Sequence, residues 1–280
     1  RIDFGPLLWS KPDGLDGQAS FTVRPAAADG VIVENIDLRS LDLRANGVIE
    51  FNADRSLRRF DLSRLTFARN DISASVRPQA GGGFIIAVNG NRLDAVPYLD
   101  AFFASEGIGE VPPLRLSFQV GEVLVGNTGT ISGLSGETVY GETGLDTLQM
   151  VGTLNEVVPL ALAFETMADG RRILSITTTN AGALARTTGL FNEAEGGDLQ
   201  IVAAIEDTEA GLEIVGRIEV EDIRIVTAPA LAQVLTLASL TGILNAMNGN
   251  GITFVRADIP FTYANGVLVV DDARAFGPSL

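Results

Sequence analysis

An apolar–polar alternation of period two recurs along most of this chain and constrains its fold more than any other feature. Leu114-Arg115-Leu116-Ser117-Phe118-Gln119-Val120 alternates without a break. Leu199, Ile201, Ala203 and Ile205 share one face of a second run, with Gln200 and Glu206 on the other. Arg217-Ile218-Glu219-Val220-Glu221 repeats the pattern. Successive side chains of a β-strand point to opposite sides, so each run reads as a strand with one dry and one wet face. Similar runs occur at Ser20–Arg24, Val48–Asn52, Ile72–Arg77, Phe84–Val88, Leu160–Phe164 and Ile173–Thr177. Turn dipeptides separate them: Asp29-Gly30, Asn46-Gly47, Gly81-Gly82-Gly83, Asp169-Gly170, Ala210-Gly211 and Asn265-Gly266. Short connections of this kind predict hairpins and an antiparallel meander.

Three segments break the rhythm with helical spacing. The first is near 93–105, with Val96, Leu99, Phe102 and Phe103 apolar. The second is near 181–191, behind Asn180 as a candidate N-cap. The third, near 229–247, has Pro229 in its first turn, Gly249 beyond its end and no charge. Leu231, Val234, Leu235 and Ala238 lie on one side of it, and Leu237, Leu240, Leu244 and Met247 on another. A helix apolar all round must be buried or meet another apolar phase. Its length admits a membrane span, but Gln233, Thr236, Ser239, Thr241 and Asn245 lower its hydropathy and favour burial. Two strand groups each lead into a helix and then into fresh strands, a coarse repeat that divides the chain into 1–126 and 127–280. Arg1 in place of an initiator Met, and a C-terminus without a cap or tail, suggest a segment of a longer protein.

Composition removes whole classes of function. The net charge of −15 disfavours nucleic acid, which requires clustered Lys and Arg, and disfavours docking to anionic membrane through a basic face. There is no Cys and no His, hence no disulfide, thiolate site, Ser-His-Asp triad or His-ligated zinc. No cofactor is expected.

The remaining chemical candidates read as structure. Asp13-Gly14-Leu15-Asp16-Gly17 lacks the further ligands of a calcium loop and reads as a hairpin turn. Asp271 and Asp272 are adjacent in an extended segment, so they face opposite ways. Glu219 and Glu221 share a face, but it is the wet face of an alternating strand. Gly81-Gly82-Gly83 and Gly249-Asn250-Gly251 lack phosphate-loop spacing. Aromatics make up 6%, too few for base-stacking or sugar-stacking strips. The chain therefore reads as a non-enzyme. What is left is a one-sided apolar surface on about sixteen to twenty strands, more than three helices can cover. Either the sheet rolls on itself or it leaves an open apolar trough.

The last third carries a resemblance. Gly197-Asp198-Leu199-Gln200-Ile201, Ala228-Pro229-Ala230-Leu231-Ala232, Ala238-Ser239-Leu240-Thr241-Gly242, Gly251-Ile252-Thr253-Phe254, Ile259-Pro260-Phe261, Gly266-Val267-Leu268, Asp272-Ala273-Arg274-Ala275 and Gly277-Pro278 together resemble the C-terminal region of the large AsmA-like proteins of the YhdP type, in their alphaproteobacterial form. Asn180-Ala181-Gly182-Ala183-Leu184 and Gly152-Thr153-Leu154 are weaker matches, with Asn180 where the family more often has Asp. The first half matches in style alone.

The resemblance implies a long twisted antiparallel sheet curled into an open groove, with about three short helices, in a periplasmic protein anchored to the inner membrane of a Gram-negative bacterium. It implies phospholipid movement between the inner and outer membranes, and no catalytic residues carry over. On that reading Leu114, Leu116, Phe118, Val120, Leu199, Ile201, Ala203, Ile205, Ile218 and Val220 line the groove against acyl chains. The helix side bearing Leu237, Leu240, Leu244 and Met247 faces into it. Head groups stay in solvent at the open edge. Partners are phospholipid acyl chains, the membrane through other segments of the parent protein, and membrane proteins at either end. The competing expectation is a scaffold for outer-membrane assembly that offers a sheet edge to other strands. A β-solenoid adhesin is weaker, since no tight short repeat is present.

Overall fold

The computed structural model describes residues 2–4, 9–11, 13–14, 16–103, 112–126, 129–208, 211–226 and 251–277. The chain divides into two compact units. The first comprises Arg1–Phe102, Glu106–Leu124 and Gly133–Thr147; the second comprises Phe103–Ser105, Val125–Ser132 and Leu148–Leu280.

The first unit opens with a separate antiparallel pair, β1 (Ile2–Phe4) and β2 (Trp9–Lys11). Its main sheet contains β3 (Gly17–Pro25), β4 (Val31–Ser40), β5 (Leu43–Phe51), β6 (Leu57–Phe67), β7 (Asn70–Pro78), β8 (Phe84–Asp94) and β9 (Leu114–Leu124), with a 3-10 turn at Ala27–Asp29 and helix α1 at Val96–Phe103. The unit boundaries fall inside β10 (Thr130–Gly141) and β11 (Gly144–Leu154). The second unit continues with β12 (Val158–Thr166), β13 (Arg172–Thr178), helix α2 (Ala181–Thr188), β14 (Ala194–Thr208), β15 (Gly211–Ile225), β16 (Ile252–Ala264), β17 (Val267–Val270) and β18 (Arg274–Phe276).

Within each unit the strands lie side by side in chain order. Among the described residues the strand order does not close on itself. β3 pairs with β4 alone, and β17 and β18 both pair along the outer side of β16. The fold is mainly β and largely an antiparallel meander, as the alternation predicts, and of the two outcomes left by the sequence the sheet takes the open one.

Two local expectations are corrected. Asn46-Gly47 is not a turn. Both residues lie inside β5, and the reversal before it runs through Leu41 and Asp42, with Leu41 at φ 53. The pairing of β5 with β6 slips between Asn46 and Gly47, and a Cβ at position 47 would lie 2.5 Å from the Asp61 carbonyl oxygen. Glycine is needed there for a bulge and a close backbone approach, the other use of glycine in a strand. The meander is also not wholly antiparallel. β8 and β9 pair in parallel, because the connection containing α1 carries the chain back to the end at which β8 began.

The predicted helix near 93–105 begins later, since residues 93–94 complete β8. Asp94 sets its start. Its Oδ1 accepts from the Val96 N–H at 3.2 Å, while its Oδ2 holds Arg69 Nη2 at 2.6 Å. The Asp94 N–H donates to Asn70 Oδ1 at 2.7 Å. The helix near 181–191 is shorter than expected. Asn180 Oδ1 caps it through the Ala183 N–H at 2.8 Å, and Gly189, at φ 73, stops it in the left-handed conformation. The helix near 229–247 and its residues Leu237, Leu240, Leu244 and Met247 lie outside the described residues.

Candidate functional site

Register turns the alternation into rows. Directly paired residues on neighbouring strands point to the same face, so an apolar residue on each strand forms a line perpendicular to the strands. In the first unit one such line runs Val23, Val33, Ile49, Phe60, Val76, Ile86 and Leu116, from β3 to β9. Val23 is exposed and the other six are half-buried. At the usual strand spacing this row is about 29 Å long. Two rows further along, Leu38, Ala45, Leu65, Ile72, Gly90 and Val120 align, and here the face is packed. Leu43, Ala45, Leu65, Phe67 and Ile72 form a buried cluster, with Leu38, Leu62, Val88 and Leu93 against it, and Val120 is 1% exposed.

The second unit repeats the arrangement. Leu162, Ile176, Ile201, Ile218 and Ile259 align across β12 to β16, a row about 19 Å long at the usual spacing. All five are half-buried. The adjacent row, Leu160, Thr178, Leu199, Val220 and Ala257, is wholly buried. Helix α2 contributes to this burial. Ala181 closes a cluster with Leu199 and Val220, and Leu184 packs against it beside Ile201 and Ile218. On the other flank lie Phe164, Leu174, Ala203, Gly216 and Phe261, of which Phe164 and Ala203 are buried. A half-open apolar row thus runs between two more deeply packed ones.

All ten strand residues singled out from the sequence lie on these apolar faces. Leu114, Leu116, Phe118, Ile201 and Ile218 are half-buried. Val120, Leu199, Ala203, Ile205 and Val220 are buried, and Leu199 and Val220 are covered by the protein's own helix. Sequence reasoning missed Ile49, Phe60, Val76, Ile86, Leu162, Ile176 and Ile259 as members of the same rows. Each sits in an alternating run, but nothing local shows which residue of the next strand it meets.

The opposite face is wet and held by ion pairs between neighbouring strands. Arg59 Nε lies 2.8 Å from Glu50, Arg77 Nη2 2.7 Å from Asp61, and Arg92 Nη2 2.6 Å from Glu122. In the second unit Arg217 Nη1 lies 2.6 Å from Asp258, and Arg256 Nη2 3.2 Å from Glu219. Glu219 and Glu221 thus face a shared Arg256 on the wet side, as the alternation predicts. Solvated pairs of this kind each add roughly 0–1 kcal/mol, so they fix register more than stability. Near α1, burial pushes the Tyr98 phenol above its ordinary value, and the Asp94 carboxylate adds to the shift.

Among the described residues no three Asp or Glu side chains converge as a metal site. No helix among them is long and apolar enough to cross a membrane. No family model, curated protein or solved structure matches the chain.

Proposed function

We propose that this chain binds lipid acyl chains on its half-open apolar rows and belongs to a periplasmic, AsmA-like protein that carries phospholipid between inner and outer membranes. The observation that supports this reading is the row Leu162–Ile176–Ile201–Ile218–Ile259, five aliphatic side chains in register that are all half-buried among the described residues, with Leu184 of α2 packing beside Ile201 and Ile218. A soluble domain normally covers such a face. An acyl chain laid along it gains roughly 0.8 kcal/mol for each CH₂ removed from water. The wet face, with its cross-strand ion pairs, contributes no comparable surface. Transfer between membranes, inner-membrane anchorage and the absence of catalysis come from the sequence resemblance and composition.

Mass spectrometry of the purified chain under native conditions tests the reading. Phospholipid should copurify, and a fluorescent fatty acid should displace it. A lipid-free protein that takes up no fluorescent acyl chain refutes it.

A scaffold role has one observation in its favour. On β17, at the margin of the second unit, Val267, Leu268, Val269 and Val270 are all exposed, as an edge able to accept a further strand would be.

A further inference from the structure

The wet face of the first unit carries a feature that acyl-chain binding does not use. A cleft of about 690 Å³ crosses β6 to β9 and reaches Gly133 of β10. Its position follows from irregular pairing. The register slips between Leu62 and Leu65 opposite β7, and again between Asp71 and Ile72 opposite β8. Gly133, where an added Cβ would meet nothing within 4 Å, leaves part of its lining without a side chain, and Ile72, Gly90, Val120 and Gly121 complete its border.

Its polar groups fall into two sets. Ser63, Ser73, Asn91, Arg64 and Asp71 are all engaged. Ser63 Oγ donates to the Asn46 carbonyl at 3.2 Å, and Ser73 Oγ to the Asn89 carbonyl at 3.2 Å. Asn91 Nδ2 donates to Asp71 Oδ2 at 3.2 Å, and Arg64 Nε lies 3.4 Å from Asp71 Oδ1. The side-chain amides of Asn89 and Gln119 have no partner among the described residues. These two amides are direct neighbours, because Asn89 pairs with Gln119 across the parallel β8–β9 ladder. They stand about 4.8 Å apart at the backbone. Each offers both donors and an acceptor.

The charge balance narrows the ligand. In a chain of net charge −15, the cleft has one acid, Asp71, and Arg64 neutralises it. An anion would meet no free cation there, and a cation no free carboxylate. Each hydroxyl of a sugar both donates and accepts, and the side chains of two side-by-side amides can reach neighbouring hydroxyls with matching donors and acceptors. The volume is also within the range of small-ligand sites, roughly 300–1,000 Å³.

We propose that this cleft binds a neutral, hydroxyl-rich ligand of the saccharide class, with Asn89 and Gln119 as its principal hydrogen-bonding residues. The half-open row from Val23 to Leu116 contributes no residue to the site, whereas Ile72, Gly90 and Val120 of the packed row border it. With few aromatics in the chain, affinity rests on hydrogen bonds and is modest.

The test titrates the isotopically labelled 280-residue chain with maltotriose, the neutral trimer of N-acetylglucosamine, and trigalacturonate as an anionic control of similar size. At least one neutral trisaccharide should shift the amide resonances of Ser73, Asn89 and Gln119, while trigalacturonate leaves them unmoved. The Asn89→Ala/Gln119→Ala double variant should bind at least about tenfold more weakly, the loss expected from removing two hydrogen-bonding side chains. Both positions are exposed, so the rest of the spectrum should be unchanged. Gln119→Ala alone repeats the test with half the perturbation. Absence of shifts with both neutral sugars, equal shifts with trigalacturonate, or unchanged affinity in the double variant would overturn the proposal.

Discussion

Placing the same polar residue in two adjacent rows of the second unit separates an open apolar surface from a closed core. Leu199→Asn perturbs the row beneath α2, where Leu199 is 8% exposed and touches the cluster of Ala181 and Val220. Removing a buried Leu loses about 1.5–3 kcal/mol of transfer free energy. The new amide, cut off from water with no partner, adds about 1–3 kcal/mol. A total of about 2.5–6 kcal/mol is a large part of the usual 5–15 kcal/mol of domain stability. Ile176→Asn perturbs the half-buried row, where the amide still reaches solvent. Its expected penalty is about 1 kcal/mol. The binding effects should run the other way. Exchanging the Ile176 side chain for an amide removes contact with two or three methylenes of an acyl chain, about 2 kcal/mol or roughly thirtyfold in affinity. Urea-unfolding midpoints and fluorescent fatty-acid titrations measure both quantities on the same preparations. Equal destabilisation by the two substitutions would refute the reasoning, because it would mean that the Ile176 row is as closed as its neighbour. So would an Ile176→Asn protein that stays folded and binds acyl chains with undiminished affinity.

Other positions give sharper local tests. Gly47→Ala should lower stability by about 2 kcal/mol or more, since its Cβ would meet the Asp61 carbonyl oxygen at 2.5 Å; thermal melts compared with an alanine substitution at Gly126, whose Cβ would meet nothing closer than 3.4 Å, would check this. Asn180→Ala should cost about 1 kcal/mol by leaving the Ala183 N–H uncapped, whereas Asn180→Asp should match or exceed the parent, because a carboxylate also caps and favours a helix N-terminus. The Tyr98 phenol is shifted upward, so the folded state holds its proton more tightly than the unfolded chain. That contribution is complete below the unfolded value of about 10 and is lost as pH rises through the folded value. Tyr98→Phe should therefore lessen the fall in unfolding midpoint between about pH 8 and about pH 11, and an identical fall in both proteins would contradict it.

By itself the sequence determined the strands, the two faces of each strand and the chemistry the chain lacks. Strand alternation is a property of neighbouring residues, so Leu114 to Val120 and Leu199 to Ile205 disclosed their dry sides without any partner. Asn180 and Gly189 likewise mark α2 locally, through a cap and a left-handed stop. The tertiary structure alone decided which side chains meet and which are covered. Leu199 and Ile201 are indistinguishable by period, yet α2 packs over the first and leaves the second half open. Asn46-Gly47 has the composition of a turn, and the approach of β6 made it a bulge. Nothing in the runs around Asn89 or Gln119 indicated that a parallel pairing would place their amides side by side. Period is set by the geometry of one backbone, whereas register and coverage are set by contacts between residues far apart in the chain.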